Sequence, residues 1–176
     1  MTQNSNTALL IIDPQNDYFP DGKYPLWNTQ VILENIESAI KNANQAGIRI
    51  ILIQHIADDR GGIAPFFNKG TTGAEIHSAI LKAAPEADIV IKQFADSFEQ
   101  TTLQETLNKH AIDKLLICGM MTQNCVTHTS ISKQAEKYEV TVLQDCCTTV
   151  DEMIHNIALR ALSTRVALLP HEQVLQ

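Results

Sequence analysis

Residues 115–135 read LLICGMMTQNCVTHTSISKQA, and the change of character inside this stretch decides the fold. LLIC is short and apolar at every position, the mark of a strand buried on both faces; a half-exposed strand would alternate. The run stops at Gly119, passes through the polar turn MTQN and delivers Cys125 where a helical pattern begins. Cys125 is therefore expected at a strand-to-helix junction, where backbone N–H groups point outward unpaired and stabilise a thiolate.

Similar apolar runs recur: ALLIID (8–13), IRIILIQ (48–54), DIVIK (88–92), KLLICG (114–119), VTVLQD (140–145) and RVALL (165–169). Amphipathic stretches separate them. In TQVILENIESAIKNANQAG, Val31, Ile32, Asn35, Ile36, Ala39, Ile40 and Ala43 fall near one face, and Gly47 is placed as a C-cap. Further helices are expected over 101–110, 125–138 and 151–163. No repeat or linker interrupts the chain, so a single domain over 1–176 is expected. Strands alternating with helices predict a three-layer α/β fold, a six-stranded parallel sheet with helices on both faces. Such sheets bind ligands outside the carboxyl ends of their strands, where strand order reverses.

Composition narrows the partners. Twenty acidic residues against thirteen basic ones give a formal charge of −7, and no Lys/Arg cluster stands out, which argues against nucleic acid and anionic membranes as partners. No apolar run reaches the roughly 18 residues of a membrane span, and MTQNSNT is unlike a signal peptide. A cytoplasmic protein is expected. Four cysteines, two of them adjacent at 146 and 147, do not form a secreted disulfide framework, and reduced thiols follow.

The expected strand ends carry Asp13, His55, Lys92 and the MTQNC turn. Singly, each has a plain reading: Asp13 before a proline is a turn former, Lys92 a strand terminus, and Cys118, Cys146 and Cys147 core residues. Together, Asp13, Lys92 and Cys125 supply an acid, a cation and a thiol to one crevice. Asp13 can accept the thiol proton, and Lys92 can stabilise the thiolate. The ordinary thiol pKa of about 8.5 is expected to fall beside such a cation.

DPQNDYF (13–19), IVIKQFADSF (89–98) and ICGMMTQNCV (117–126) resemble the isochorismatase-like cysteine hydrolases, also called the nicotinamidase-like group, and the likeness runs from about Thr7 to Leu169. The resemblance implies a Rossmann-like strand order, a triad of Asp13, Lys92 and Cys125, and a cis peptide at Met120-Met121. It also implies an oxyanion hole made by the backbone N–H groups of Met121 and Cys125. Nicotinamidases hold a metal through an Asp-x-His pair and a further His after the second strand. By register those first two positions are His55 and Ala57 here, so the ligand set is broken and no metal or other cofactor is expected. His55 with Asp58 and Asp59 is a loose alternative ligand set, while His77, His110, His128, His155 and His171 show no metal-like spacing.

True isochorismatases protonate a vinyl ether and need no thiol. Retention of Cys125 favours instead hydrolysis of a carbon–nitrogen bond in a small non-peptide amide through a thioester. The segment 55–77 resembles small cysteine hydrolases more than the ureidoacrylate, carbamoylsarcosine or biuret enzymes. Phe19, Gln54, Phe66, Phe94 and His128 are candidates for substrate contact, with Tyr24, Trp27, Phe67 and Phe98 as further aromatics and Gln15 and Asp17 as polar groups. A homo-oligomer is expected by analogy, with Ile63, Phe66 and Phe67 to bury. A vinyl ether hydrolase and a non-catalytic thiol sensor or binding module on the same fold are the competing readings.

Overall fold

The computed structural model describes residues 6–175. Six strands, β1 (Thr7–Ile12), β2 (Arg49–His55), β3 (Asp88–Lys92), β4 (Lys114–Met120), β5 (Glu139–Thr148) and β6 (Ala167–Leu169), form one sheet in the order β3-β2-β1-β4-β5-β6. Every pairing is parallel. The chain winds outward from β1 to β3, crosses back to β4 beside β1, and winds outward the other way. The order therefore reverses between β1 and β4, and a crevice opens past their carboxyl ends. Residues 8–12 of β1 are wholly buried, which is why that strand reads as unbroken Ala, Leu and Ile.

The helices are α1 (Thr29–Gln45), α2 (Ser78–Ala83), α3 (Leu103–Lys109), α4 (Thr127–Ser130), α5 (Glu152–Leu162) and α6 (His171–Val174). α1 buries Thr29, Ile32, Leu33, Ile36, Ala39, Ile40 and Ala43. Val31 was expected on that face but is 47% exposed, because at 100° per residue it falls well off the stripe that Leu33 completes. The helix ends as its glycine predicts. Gly47 has a φ of 67°, and the N–H groups of Gly47 and Ile48 donate to the carbonyls of Asn44 and Ala43, the paired bonds of a Schellman turn.

Two regions depart from the sequence reading. The helix expected over 125–138 is broken into a wide turn at Thr122–Val126, the single turn α4, and a 3₁₀ segment at Lys133–Lys137. Hydroxyls cause the break. Thr127 Oγ1 donates to the Thr122 carbonyl, Ser130 Oγ to the Val126 carbonyl, and Ser132 caps the 3₁₀ segment, so side chains compete for the bonds a continuous helix would use. β5 also runs past the expected 145 to Thr148, because it bulges: Ile117 faces Val142 and Gly119 faces Cys147, so four β5 residues bulge opposite Cys118 alone.

β1 and β4 approach closely at the reversal point. A Cβ built on Gly119, whose φ is 117°, would lie 2.1 Å from the Ile12 carbonyl oxygen. Only glycine fits there. Gly119→Ala is expected to destabilise the fold by about 2–4 kcal/mol, read as a lowered midpoint in urea titration.

Candidate active site

Three strands deliver the predicted triad. Asp13 follows β1 in a left-handed conformation with φ 50°, and its N–H donates to the Ile53 carbonyl at 3.0 Å. Lys92 is the last residue of β3 and pairs in register with His55, the last of β2. Side chains of paired residues in a parallel sheet share a face, so His55 and Lys92 project to the same side as each other, and Gln54 to the opposite one. Cys125 lies in the wide turn after β4. The Met120–Met121 peptide is cis, and the Met121 carbonyl accepts from Asn124 at 3.0 Å and from Val126 at 3.3 Å. α5 backs the turn: Thr122 Oγ1 and His155 Nδ1 are 2.9 Å apart in the interior.

The side chains converge on the Lys92 ammonium. Its Nζ lies 2.9 Å from Asp13 Oδ2, 3.0 Å from His55 Nδ1, 3.0 Å from the Phe94 carbonyl oxygen and 3.2 Å from Cys125 Sγ. Asp13 is 0%, Lys92 1% and Cys125 3% exposed, so this is a buried site in which charge interactions are strong. Burial opposes the charge on Lys92, but Asp13 and then Cys125 outweigh it and raise its pKa. His55 goes the other way. Burial first and Lys92 second lower its pKa to about 4, against a smaller opposing effect of Asp13, so the ring is neutral and its Nδ1 accepts from the ammonium.

The expected fall in the pKa of Cys125 does not occur. Burial pushes the thiol up to about 12 and Asp13 adds to the rise, while Lys92 only partly offsets them. A junction exposed to water would have favoured the thiolate; this one is closed, and desolvation penalises the charged form. The resting group is a thiol beside a carboxylate. Cys118, Cys146 and Cys147 are buried and unpaired as expected, and burial raises all three.

The aromatics gather in a cluster beside these side chains. Tyr18 centres it, with ring centroids 4.6 Å from Phe67, 5.4 Å from Phe66 and 6.4 Å from Tyr24. His55 stands at its edge, 5.9 Å from Phe67. Tyr18 is close enough to Asp13 and Cys125 that both, after burial, raise its pKa. The sequence reading singled out its neighbour Phe19, which stacks on His77 at 4.4 Å; a tyrosine's polar tip on an apolar body was the signal that pointed to residue 18. Phe66 stays with the wall. Gln54 faces away from Lys92 and donates to the Ala74 carbonyl, Phe94 meets Lys92 through its backbone oxygen with its ring partly exposed, and His128 is exposed on α4. Trp27 lies 5.8 Å from His155, and Phe98 stacks on Tyr138. Asp58 pairs with Arg60 and not with His55.

Gln15 and Asp17 tie the neighbouring loop. Gln15 Nε2 donates to the carbonyls of His55 and Ala74, each at 2.7 Å, and its Oε1 accepts from His55 N at 2.8 Å. Asp17 accepts from the N–H groups of Phe67 and Lys23 at 2.7 and 3.1 Å, and a Cβ at Gly73 would strike its carboxylate. Asp13, His55 and Cys125 bring an oxygen, a nitrogen and a sulfur within 4.8 Å of one another, but the place a cation would take among them is filled by the ammonium of Lys92. Asp145, Cys146 and His171 make a second such group, in which His171 N and Nδ1 meet the two Asp145 oxygens at 2.8 and 2.7 Å and Nε2 reaches Ser38 Oγ at 3.2 Å. These bonds clasp α6 to β5 and α1.

Residues 7–171 match the family model of the isochorismatase domain. The chain belongs to the isochorismatase family. Among its relatives in that family, protein YddQ of Bacillus subtilis (strain 168) is 35% identical over 150 residues, covering 85% of this chain and 82% of YddQ. The ureidoacrylate amidohydrolase RutB of Enterobacter sp. (strain 638) is 28% identical over 170 residues, covering 80% of this chain and 74% of RutB. An isochorismatase-family crystal structure from Oleispira antarctica superposes with a TM-score of 0.88 at 32% identity, over 99% of this chain and 98% of that one. The isochorismatase fold thus holds the six-stranded parallel sheet and the strand order expected from sequence.

The depressed pKa of His55 makes stability depend on pH. The unfolded chain binds a proton near pH 6.5, the folded protein only near 4, so this contribution is complete above pH 6.5 and is lost as pH falls toward 4. Equilibrium unfolding in urea is expected to show an acid loss of about 3 kcal/mol by pH 4 that His55→Leu lacks.

Proposed function

We propose that this protein hydrolyses a carbon–nitrogen bond of a small, non-peptide amide through Cys125. The observation that carries the reading is a buried ammonium 2.9 Å from the Asp13 carboxylate and 3.2 Å from Cys125 Sγ, a nucleophile with a base and a cation in reach. An amidohydrolase among the relatives supports the amide class. Because the thiol is held up to about 12, its proton leaves only as bond formation begins. Asp13 takes that proton, Sγ attacks the carbonyl carbon, and Lys92 balances the negative charge on sulfur. The oxyanion is held by the N–H groups of Met121 and Cys125. Asp13 returns the proton to the departing nitrogen, the carbon–nitrogen bond breaks, and a thioester remains. Water, deprotonated by Asp13, then attacks the thioester; the acid leaves and Cys125 regains its proton. No step requires a cofactor. The wall of Tyr18, Phe66 and Phe67 fits a neutral acyl group better than a charged one.

A panel of small amides, lactams and ureas, with isochorismate as the rival substrate, tests this reading. Amine or ammonia should be released before the acid, and intact mass should find an acyl adduct on Cys125. Cys125→Ala and Asp13→Asn should each lower kcat/KM by about 1,000-fold or more, and Lys92→Met by about 100-fold. Turnover should survive dialysis against a chelator. Isochorismate turnover undiminished by Cys125→Ala, with no amide hydrolysed, would establish vinyl ether hydrolysis instead. Reversible oxidation of Cys125 to a specific disulfide, with no turnover of any substrate, would favour the sensor reading.

We also propose a homo-oligomer. Phe67 and much of Phe66 are taken up by Tyr18, so they do not supply the contact first expected. Ile63 remains 92% exposed, and on β3 Ile89 and Ile91 are 50% and 57% exposed, because the link from β2 to β3 carries only the short α2 to cover that face. A second copy would cover it. Sedimentation should give a mass at least twice that of the chain at micromolar concentration, and Ile89→Lys with Ile91→Lys should shift it toward the monomer.

A further inference from the structure

Lys92 has more acceptors than hydrogens. An ammonium carries three N–H donors, and four acceptor atoms stand within 3.2 Å of its Nζ. Hydrogen-bond geometry is met by three of them: His55 Nδ1, the Phe94 carbonyl and Cys125 Sγ. The Asp13 carboxylate is the closest of the four, at 2.9 Å, yet it lies off the directions in which the ammonium makes its aligned hydrogen bonds. It receives the charge of Lys92 more than its hydrogens. Lone pairs are thereby left for the Cys125 thiol, although a buried carboxylate ordinarily collects several donors.

We propose that His55 is a positioning residue for the triad: by holding one N–H of Lys92 at Nδ1, it keeps that hydrogen off Asp13 and leaves the carboxylate able to take the thiol proton. This inference rests on reading Cys125 as nucleophile and Asp13 as its base. Were the acceptor at 55 removed, the freed N–H would turn to Asp13 Oδ2, already 2.9 Å away. A charge-assisted hydrogen bond would form there and weaken Asp13 as a base. In the step itself the S–H bond breaks and an O–H bond forms on Asp13. Lys92 keeps all three protons, its N–H on Sγ now facing a thiolate, and His55 does not change protonation state.

His55 is built to hold this place. It is the β2 residue paired in register with Lys92, its backbone N–H and carbonyl are both bonded by the Gln15 side chain, and its ring rests near Phe67. The neutral ring is required, since a protonated imidazole has no lone pair at Nδ1, and burial together with Lys92 keeps it neutral at physiological pH.

Asn and Leu at position 55 have nearly the same shape, and Asn alone keeps an acceptor at the δ position. Cys125 alkylation by iodoacetamide at pH 7, mapped by peptide mass, is expected to proceed in His55→Asn within about threefold of the unaltered protein. In His55→Leu it should slow by roughly tenfold or more, the effect of one hydrogen bond to a charged group. Equal rates in the two variants, both folded by thermal unfolding, would overturn the proposal, as would faster labelling in the Leu variant. An independent reading comes from the unaltered protein: its ¹⁵N imidazole spectrum should show His55 Nδ1 unprotonated at neutral pH, and a proton on Nδ1 would sink the idea without any variant. Alkylation needs no turnover, so failure to find an amide substrate would count against the proposed function alone.

Discussion

An ammonium group taken out of water must be surrounded by acceptors, or its desolvation costs several kcal/mol. Lys92 is such a group, and much of the fold is committed to it. Asp13 follows β1 directly, β2 ends in His55 and β3 in Lys92 itself, while the chain just beyond supplies the Phe94 carbonyl and the turn after β4 supplies sulfur. Four segments distant in sequence therefore meet at one nitrogen. The parallel sheet makes this possible, because it points the carboxyl ends of its strands the same way and parts them where order reverses. The close passage of Gly119 over Ile12 belongs to the same requirement, since it brings the strand that precedes Cys125 against the strand that precedes Asp13.

The strands were legible because their runs are short and apolar, as burial of the central ones on two faces requires, while their order came from the family resemblance. The meeting of Asp13, Lys92 and Cys125 was legible because strand ends in this topology converge whatever lies between them. The helix over 125–138 was misread because hydrophobic spacing does not register hydroxyls, and the threonines and serines of this segment bond back to the backbone. Gln54, a candidate for substrate contact, faces away from Lys92 while His55, one residue on, faces it, since one residue in a strand is a change of face. Tyr18, next to the candidate Phe19, lies nearer Asp13, in a 3₁₀ turn that no apolar period marks.

The thiol illustrates a different limit. A cysteine at a strand-to-helix junction beside a lysine reads as a thiolate, because sequence displays neighbours and conceals depth. In the structure, burial is the larger influence and Asp13 reinforces it, so the sulfur keeps its proton. The cation is then matched by Asp13, and the interior does not carry a second negative charge on sulfur.

The hydrogen bonds that fix the loop beside the site reach its main-chain atoms. Gln15 bonds the carbonyls of His55 and Ala74, Asn16 the carbonyl of Thr72 and the N–H of Asn16 the carbonyl of Glu75, while Asp17 takes the N–H of Phe67 and His77 donates to the Pro14 carbonyl. Apart from Gly73, which must lack a side chain beneath Asp17, and Phe66 and Phe67, whose rings pack on Tyr18, none of these bonds depends on which amino acid occupies the loop. Its path is thus specified while the lettering of its other positions is left open. Those positions can be rewritten without redrawing the backbone that carries them.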